Sequence, residues 1–338
     1  MCSVPIVVKS LGLVLTLGSE LPIDKRIKNR MSSKVTYKTR SRKKPHLIRD
    51  SSSVYSVETI PVKDTAHLVD MIFQGDCIDG MKSLTSNTID LVITDPPFAI
   101  NFKAKRGNYN RSESNVLEGY SEIPQAQYYE FTIKWMKEVH RVLNDSGSMY
   151  VFSGWNNLKD ILNALDELGF ITVNHIIWKY QFGVVTKRKF VTSHYHCLYV
   201  CKNDAERQFH PYARFDKDAR HKDGGSLHYE DKEDVWYIKR EYWNGDTKTP
   251  TKLPAELIKK ILLYSSKEGA MVLDPFLGSG QVAVVSKMLK RHYLGFEVVK
   301  EYYEFAKRRL DENVYRIKSE NTDNTAGALT LFDKEMPK

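Results

Sequence analysis

The stretch from Ala270 to Glu297 limits the possible folds more than any other part of the chain. Ala270 to Leu273 is an apolar run of strand length, and Asp274-Pro275-Phe276-Leu277-Gly278-Ser279-Gly280-Gln281 interrupts it. Val282 to Leu289 then reads as a helix, and His292 to Phe296 as a second strand ending in Glu297. Strand, glycine turn, helix, strand and acidic residue form the repeating unit of a parallel sheet covered by helices. In such a unit the glycines let backbone N–H groups approach a ligand. The acid ending the next strand can accept hydrogen bonds from ribose hydroxyls, so the unit suits a nucleoside. No Gly-Lys-Ser/Thr follows the turn, which argues against a P-loop, and the third glycine of a dinucleotide fingerprint is absent.

A second strand-end motif lies far upstream. Leu91-Val92-Ile93-Thr94 reads as a short buried strand, and Pro96-Pro97 ends it abruptly, leaving Asp95-Pro96-Pro97-Phe98 at its carboxyl end. Open α/β sheets hold their ligands at that edge. Around the two motifs the chain alternates strand and helix. Strands are expected at Met71–Phe73, Ile89–Ile93, Ser148–Phe152 and Val173–Trp178. Helices are expected at Ile78–Leu84, from Pro124 to Leu143, at Leu158–Leu168, from Pro254 onward and at Lys300–Leu310.

Three regions depart from this rhythm. Residues 1–65 are rich in Lys and Arg between Asp24 and Arg49 and read as a disordered basic arm, with Met31 an alternative start. Residues 99–111 are polar, basic and glycine-punctuated, which fits a loop beside the site, and residues 316–338 form a polar tail. From 180 to 250, Lys187, Arg188, Lys189 and further cations interleave with aromatics such as Phe190, Tyr212, Trp236 and Tyr237. That mixture suits either a nucleic-acid-facing insertion or a small insertion with an aromatic core. The formal net charge of +9 favours a polyanionic partner without bearing on the fold.

The four cysteines are too sparse for a disulfide framework and fit a reducing cytoplasm. His194-Tyr-His196-Cys197-Leu-Tyr-Val-Cys201 reads as a strand rather than a metal site, since no second Cys/His cluster completes a tetrahedral set. Val4–Leu17 is too short to span a bilayer, and neither a membrane nor a metal partner is expected.

With both motifs in place, a family resemblance follows. Asp95-Pro96-Pro97-Phe98 resembles the catalytic motif of DNA methyltransferases acting on exocyclic amino groups, and Asp274 to Gly280 resembles their S-adenosylmethionine motif. The catalytic motif comes first and the basic–aromatic region lies between the two, which is similar to the permuted order of the β group. Gly75-Asp76 looks like the adenine-holding segment of that family, and Thr251-Lys252-Leu253-Pro254 like its cofactor-flanking Thr-x-Lys-Pro segment, with Lys252-Leu253-Pro254 in place of the usual Lys-Pro.

The resemblance covers roughly residues 70–315. It implies an α/β, Rossmann-like methyltransferase sheet with an inserted target-recognition region. The implied division is a catalytic half at 70–179, recognition at 180–250 and a cofactor half at 251–315. It also implies S-adenosylmethionine as cofactor, held by Asp76, Lys252, Asp274, Phe276, Gly278, Gly280 and Glu297. Asp95, Pro96, Pro97 and Phe98 are the implied catalytic residues. Double-stranded DNA is the implied partner, and a cognate restriction endonuclease is a further expected one; Lys187, Arg188 and Lys189, just after the strand ending near Trp178, are expected on DNA phosphates from their charge and position. First-position Asp is commoner among adenine-N6 enzymes of the family, whereas the longer run from Asp95 to Arg111 resembles archaeal-type cytosine-N4 enzymes. Cytosine-N4 is therefore favoured over adenine-N6. RNA or protein-glutamine methylation and a non-catalytic DNA-binding module are the weaker alternatives. Cytosine-C5 chemistry needs a cysteine nucleophile in a proline turn, and none is present.

Overall fold

Strand alternation explains the layering. In β2 (Ile89–Thr94), Leu91 and Ile93 pack into one hydrophobic core and Val92 into another, and all three are fully buried. A strand covered on both faces favours apolar residues on each, so Leu91–Ile93 reads as a continuous apolar run. The computed structural model of this chain describes residues 68–97, 123–180, 187–241 and 252–312. Phe98, the 99–111 loop, the 1–65 arm and the 316–338 tail lie outside those residues.

The described elements, in chain order, are β1 (Met71–Gln74), α1 (Cys77–Lys82), β2, α2 (Tyr128–Val142), β3 (Leu143–Ser153), α3 (Leu158–Glu167), β4 (Ile171–Lys179), β5 (His194–Cys201), α4 (Leu227–Asp231), β6 (Val235–Tyr237), α5 (Ala255–Ser265), β7 (Met271–Asp274), α6 (Gln281–Met288), β8 (His292–Glu297) and α7 (Lys300–Asp311). The strands form one sheet in the order β1-β8-β7-β2-β3-β5-β4-β6. From β1 to β3 all neighbours are parallel; β5 runs antiparallel to both β3 and β4, and β6 is parallel to β4. Residues of α1, α2 and α3 pack in the core that takes Val92, Met149, Val151, Leu198 and Val200. Those of α5, α6 and α7 pack in the core that takes Leu91, Ile93, Tyr150, Phe152, Cys197 and Tyr199. The fold is the expected α/β, Rossmann-like sheet with helices on both sides.

Two expectations need correction. The region 180–250 is not one insertion, because His194–Cys201 is β5, an interior strand of the main sheet whose last six residues are buried. Its aromatics are part of the reason: Tyr199 stacks on Tyr150 of β3 at 4.3 Å between ring centroids. The strand expected from Ser148 begins earlier, at Leu143, with a bulge where pairing jumps from Ile89↔Leu143 to Leu91↔Ser148. No helix among the described residues is long and apolar enough to cross a membrane.

Candidate active site

The strand order reverses between β7 and β2. From β7 the chain proceeds to β8 on one side, and from β2 to β3 on the other, which opens a crevice at their carboxyl ends. Asp274 ends β7 and Asp95 follows β2, so two carboxylates far apart in sequence become neighbours. Thr94 Oγ1 donates to Asp274 Oδ1 at 3.2 Å across the two strands. The same Asp274 oxygen accepts the Phe276 N–H at 3.1 Å, which tightens the turn after the strand. Burial pushes the Asp274 carboxyl up to about 7 against these two hydrogen bonds, and the charges of Asp95 and Glu297 add to the rise.

Asp95 is held differently. Its Oδ1 is shut off from solvent and has no hydrogen-bond partner among the described residues. Burial raises its pKa to about 7, while the Arg240 guanidinium opposes the rise. An orphaned buried carboxylate oxygen is costly and is expected where a ligand completes the site. Pro96, buried beside it, and Pro97 line the same cavity.

That cavity measures about 330 Å³, enough for a nucleoside-sized ligand. Asp76, Asp95, Pro96, Pro97, Lys252, Asp274, Phe276, Gly278 and Glu297 all border it, although they come from five separate stretches of chain. Gly278 adopts φ +52° and Gly280 φ +74°. The Gly278 N–H donates to Glu297 Oε2 and the Val299 N–H to Glu297 Oε1, both at 2.8 Å, so Glu297 ties the glycine turn to the end of β8. Burial raises the Glu297 carboxyl, and backbone N–H groups partly offset the rise. Asp76 caps α1 by accepting the Ile78 N–H at 2.8 Å and the Asp79 N–H at 3.2 Å. The Phe276 ring is held by Trp135 and Phe131 of α2 at 5.4 and 5.8 Å between centroids.

Gly280 does not border the cavity. A Cβ there would meet the Ala306 Cβ of α7 at 2.8 Å, so this glycine permits close helix packing. Phe98 lies outside the described residues. Lys187, Arg188 and Lys189 are exposed, follow the carboxyl end of β4, and stand apart from the cavity. Since β4 runs in the same direction as β2, they leave the sheet at the edge that carries Asp95.

Sequence reasoning missed several partners. Lys252 is nearly buried and pairs with Glu241 at 2.8 Å; desolvation lowers its pKa and Glu241 counters that. Arg240 lies with its guanidinium 3.9 Å from the Tyr180 ring centroid and 5.5 Å from that of Tyr195. Only the acid–cation alternation at Arg240-Glu241 marked these residues, and it is indistinguishable from an ordinary solvated pair. Among the described residues no group of three or more His, Cys, Asp and Glu is arranged to hold a metal ion. His175 and His196 instead hydrogen-bond each other at 2.8 Å across β4 and β5.

Comparison with known proteins gives a consistent picture. The N6/N4 methylase family model, described as a DNA methylase, matches residues 89–308. The Type II methyltransferase M.HpaI of Haemophilus parainfluenzae is 31% identical over 239 residues, spanning 70% of this chain and 72% of that protein. The M1.HpyAVI–SAM complex superposes with a TM-score of 0.50 at 24% identity, covering 71% of this chain and 98% of the other. The cytosine-N4-specific PvuII DNA methyltransferase superposes with a TM-score of 0.54 at 18% identity, covering 72% and 90%.

Proposed function

The chain belongs to the N6/N4 DNA methylase family, and from that premise we propose that it transfers a methyl group from S-adenosylmethionine to the N4 amino group of cytosine in duplex DNA. The observation that carries the catalytic assignment is the unpartnered, buried Asp95 Oδ1 at the edge of a cavity it shares with the Gly278 turn.

The cavity fits that cofactor. A Cβ added at Gly278 would meet nothing nearer than the Phe276 carbonyl at 3.9 Å, so the space above the turn is open for a ligand to reach the backbone. Glu297, already holding the turn, has further lone pairs for ribose hydroxyls. Phe276 and Val298 offer apolar surface, and Asp76 and Lys252 offer charge, on the same cavity wall. S-adenosylmethionine, when bound, supplies a methyl group on an electrophilic sulfonium.

What remains for the chain is to make a poor nucleophile react. The lone pair of an exocyclic amino nitrogen is delocalised into the ring. Asp95 Oδ1 accepts one amino N–H and the Pro96 carbonyl accepts the other, which drives the nitrogen toward a tetrahedral geometry and frees its lone pair. A carboxylate whose pKa lies near 7 can then take up the proton the methylated amine must lose. A paired base cannot reach Asp95, so the cytosine is swung out of the stack, with Phe98 as the stacking face. The likeness of Asp95–Arg111 to cytosine-N4 enzymes supports cytosine; the first-position Asp supports adenine-N6 as the second reading. By analogy with M.HpaI, the chain serves as the modification enzyme of a type II restriction–modification pair.

Target recognition falls to the segments on either side of β5, residues 180–193 and 202–250, with residues 70–179 and 251–315 as the catalytic and cofactor halves. Changing Lys187, Arg188 and Lys189 together to Gln is expected to weaken duplex binding and flatten its salt dependence. Each lost phosphate contact lowers the slope of log K against log salt by about 0.9. Cofactor affinity should not move. A salt slope equal to the parent's would remove these residues from the DNA surface. For the activity itself, labelled S-adenosylmethionine is offered with duplex DNA, RNA and peptide in parallel. Label in DNA alone supports the assignment, and label in RNA or peptide alone refutes it.

A further inference from the structure

Glu241 sits between two helix N-termini that lack side-chain caps of their own. Pro254 precedes α5 and Gly280 precedes α6, and neither side chain can accept a backbone N–H. Glu241 Oε1 accepts the Ala255 N–H, the first of α5, at 2.7 Å. Its Oε2 takes the Lys252 ammonium at 2.8 Å and the Gln281 side-chain amide, at the start of α6, at 3.2 Å. A carboxylate at helix N-termini is also favoured by their dipoles. The network continues inward: Arg309 of α7 donates to Gln281 Oε1 and to the Ser279 carbonyl, both at 2.5 Å. One carboxylate thus reaches Lys252 and, through Gln281 and Arg309, the Gly278-Ser279-Gly280 turn.

The residue next to it acts on Asp95. Arg240 lies on the rings of Tyr180, Tyr195 and Trp178, at 3.9, 5.5 and 5.9 Å from their centroids, and its charge acts on Asp95. The segment carrying both residues is anchored upstream. Asp231 of α4 pairs with Arg214 at 2.8 Å and accepts from Tyr264 Oη of α5 at 2.7 Å, while Arg214 reaches Glu256 at 2.6 Å.

We propose that Glu241 is a positioning residue for cofactor binding: it fixes Lys252 and the Gln281 end of the glycine turn, and so joins the segment that follows β6 to the cofactor pocket. This rests on the reading of that pocket as the S-adenosylmethionine site. Lys252 and Gln281 both border the cavity and Glu241 does not, so Glu241 acts through them. Lys252 is nearly desolvated, and the Glu241 carboxylate is what keeps an ammonium stable there.

The test titrates S-adenosylmethionine and duplex DNA separately into the full-length chain and its variants Glu241→Gln, Lys252→Met, the double variant and Gly278→Val. Glu241→Gln is expected to weaken cofactor binding about tenfold or more, the loss typical of a hydrogen bond to a charged group. Duplex affinity should fall clearly less than cofactor affinity, because the contacts removed are those to Lys252 and Gln281 at the pocket. The double variant should bind cofactor no worse than Lys252→Met, since it leaves neither charge buried alone. If Glu241→Gln does not fold, the comparison of the double variant with Lys252→Met decides the matter by the same criterion. Parental cofactor affinity in Glu241→Gln, equal losses of cofactor and DNA affinity, or additive losses in the double variant would each overturn the proposal. If Gly278→Val also binds like the parent, the pocket reading itself fails. If Gly278→Val abolishes binding and Glu241→Gln does not weaken it, only the role of Glu241 fails.

Discussion

Asp95→Asn is expected to bind S-adenosylmethionine within a few-fold of the parent, to transfer no methyl group, and to be more stable than the parent above neutral pH. The first two outcomes follow from where Asp95 acts, on the base and not on the cofactor. The third follows from burial. The Asp95 carboxyl rises to about 7 in the folded chain from about 3.8. A carboxyl raised on folding holds a proton that the unfolded chain has already released. Its contribution to stability is therefore fully present below about pH 3.8 and is lost as pH rises through about 7. Above that the folded protein carries a buried charge that Asn removes. The gap between the two values bounds the gain at about 4 kcal/mol. Melting both proteins at pH 5 and pH 8 measures it: the difference should open at pH 8 and shrink at pH 5. Retained turnover would end the catalytic assignment, and a gain independent of pH would end the buried-charge account.

Gly278→Val and Gly280→Val, two residues apart, should fail in opposite ways. At Gly278 the added Cβ meets no atom closer than 3.9 Å. The cost there is backbone strain at φ +52° plus a side chain standing in the cavity. Cofactor binding should be lost, with a stability loss limited to about 1–3 kcal/mol. At Gly280 the Cβ falls 2.8 Å from the Ala306 Cβ and 3.2 Å from its Cα, at φ +74°. Backbone cannot yield as a flexible side chain would, so α7 must shift and the protein should melt well below the parent. Calorimetric titration with thermal melts separates the two. Equal melting losses for both variants would contradict the distinction.

Much of this arrangement was legible because the informative residues sit where sequence and geometry coincide. A strand covered on both faces favours apolar residues on each, and a strand ended by Pro or by a glycine turn announces where its carboxyl edge lies. Leu91–Asp95 and Met271–Gly278 show both features, so their motifs could be placed at strand ends. Their adjacency was not legible from either motif alone. It depends on the switch in strand order between β7 and β2, which the Thr94–Asp274 hydrogen bond spans.

The remainder was hidden for physical reasons. β5 carries His, Tyr and Cys and lies within a basic, aromatic stretch, so composition obscured a buried central strand; its rings are buried by stacking, as Tyr150 on Tyr199 shows. Gly147 closes the turn-like run Asn-Asp-Ser-Gly, which hid the early start of β3. In the fold its Cβ position lies 2.9 Å from the Asp90 carbonyl, so the glycine permits a close backbone approach inside the bulge. Glu241 gave no signal of its own. Its meaning comes from Gln281 of α6, which lies 3.2 Å away although 40 positions on in the chain, and nothing in the local sequence specifies that approach.

The central claim is that Asp95 activates the exocyclic amine of cytosine. Its most direct test is to let the full chain label duplex DNA from methyl-labelled S-adenosylmethionine, digest the DNA to nucleosides and identify the labelled one by mass spectrometry. Label is expected in N4-methylcytosine and is expected to be absent when Asp95→Asn replaces the parent. Label in N6-methyladenine would contradict the choice of base, and label in 5-methylcytosine, or label that survives in Asp95→Asn, would contradict the mechanism.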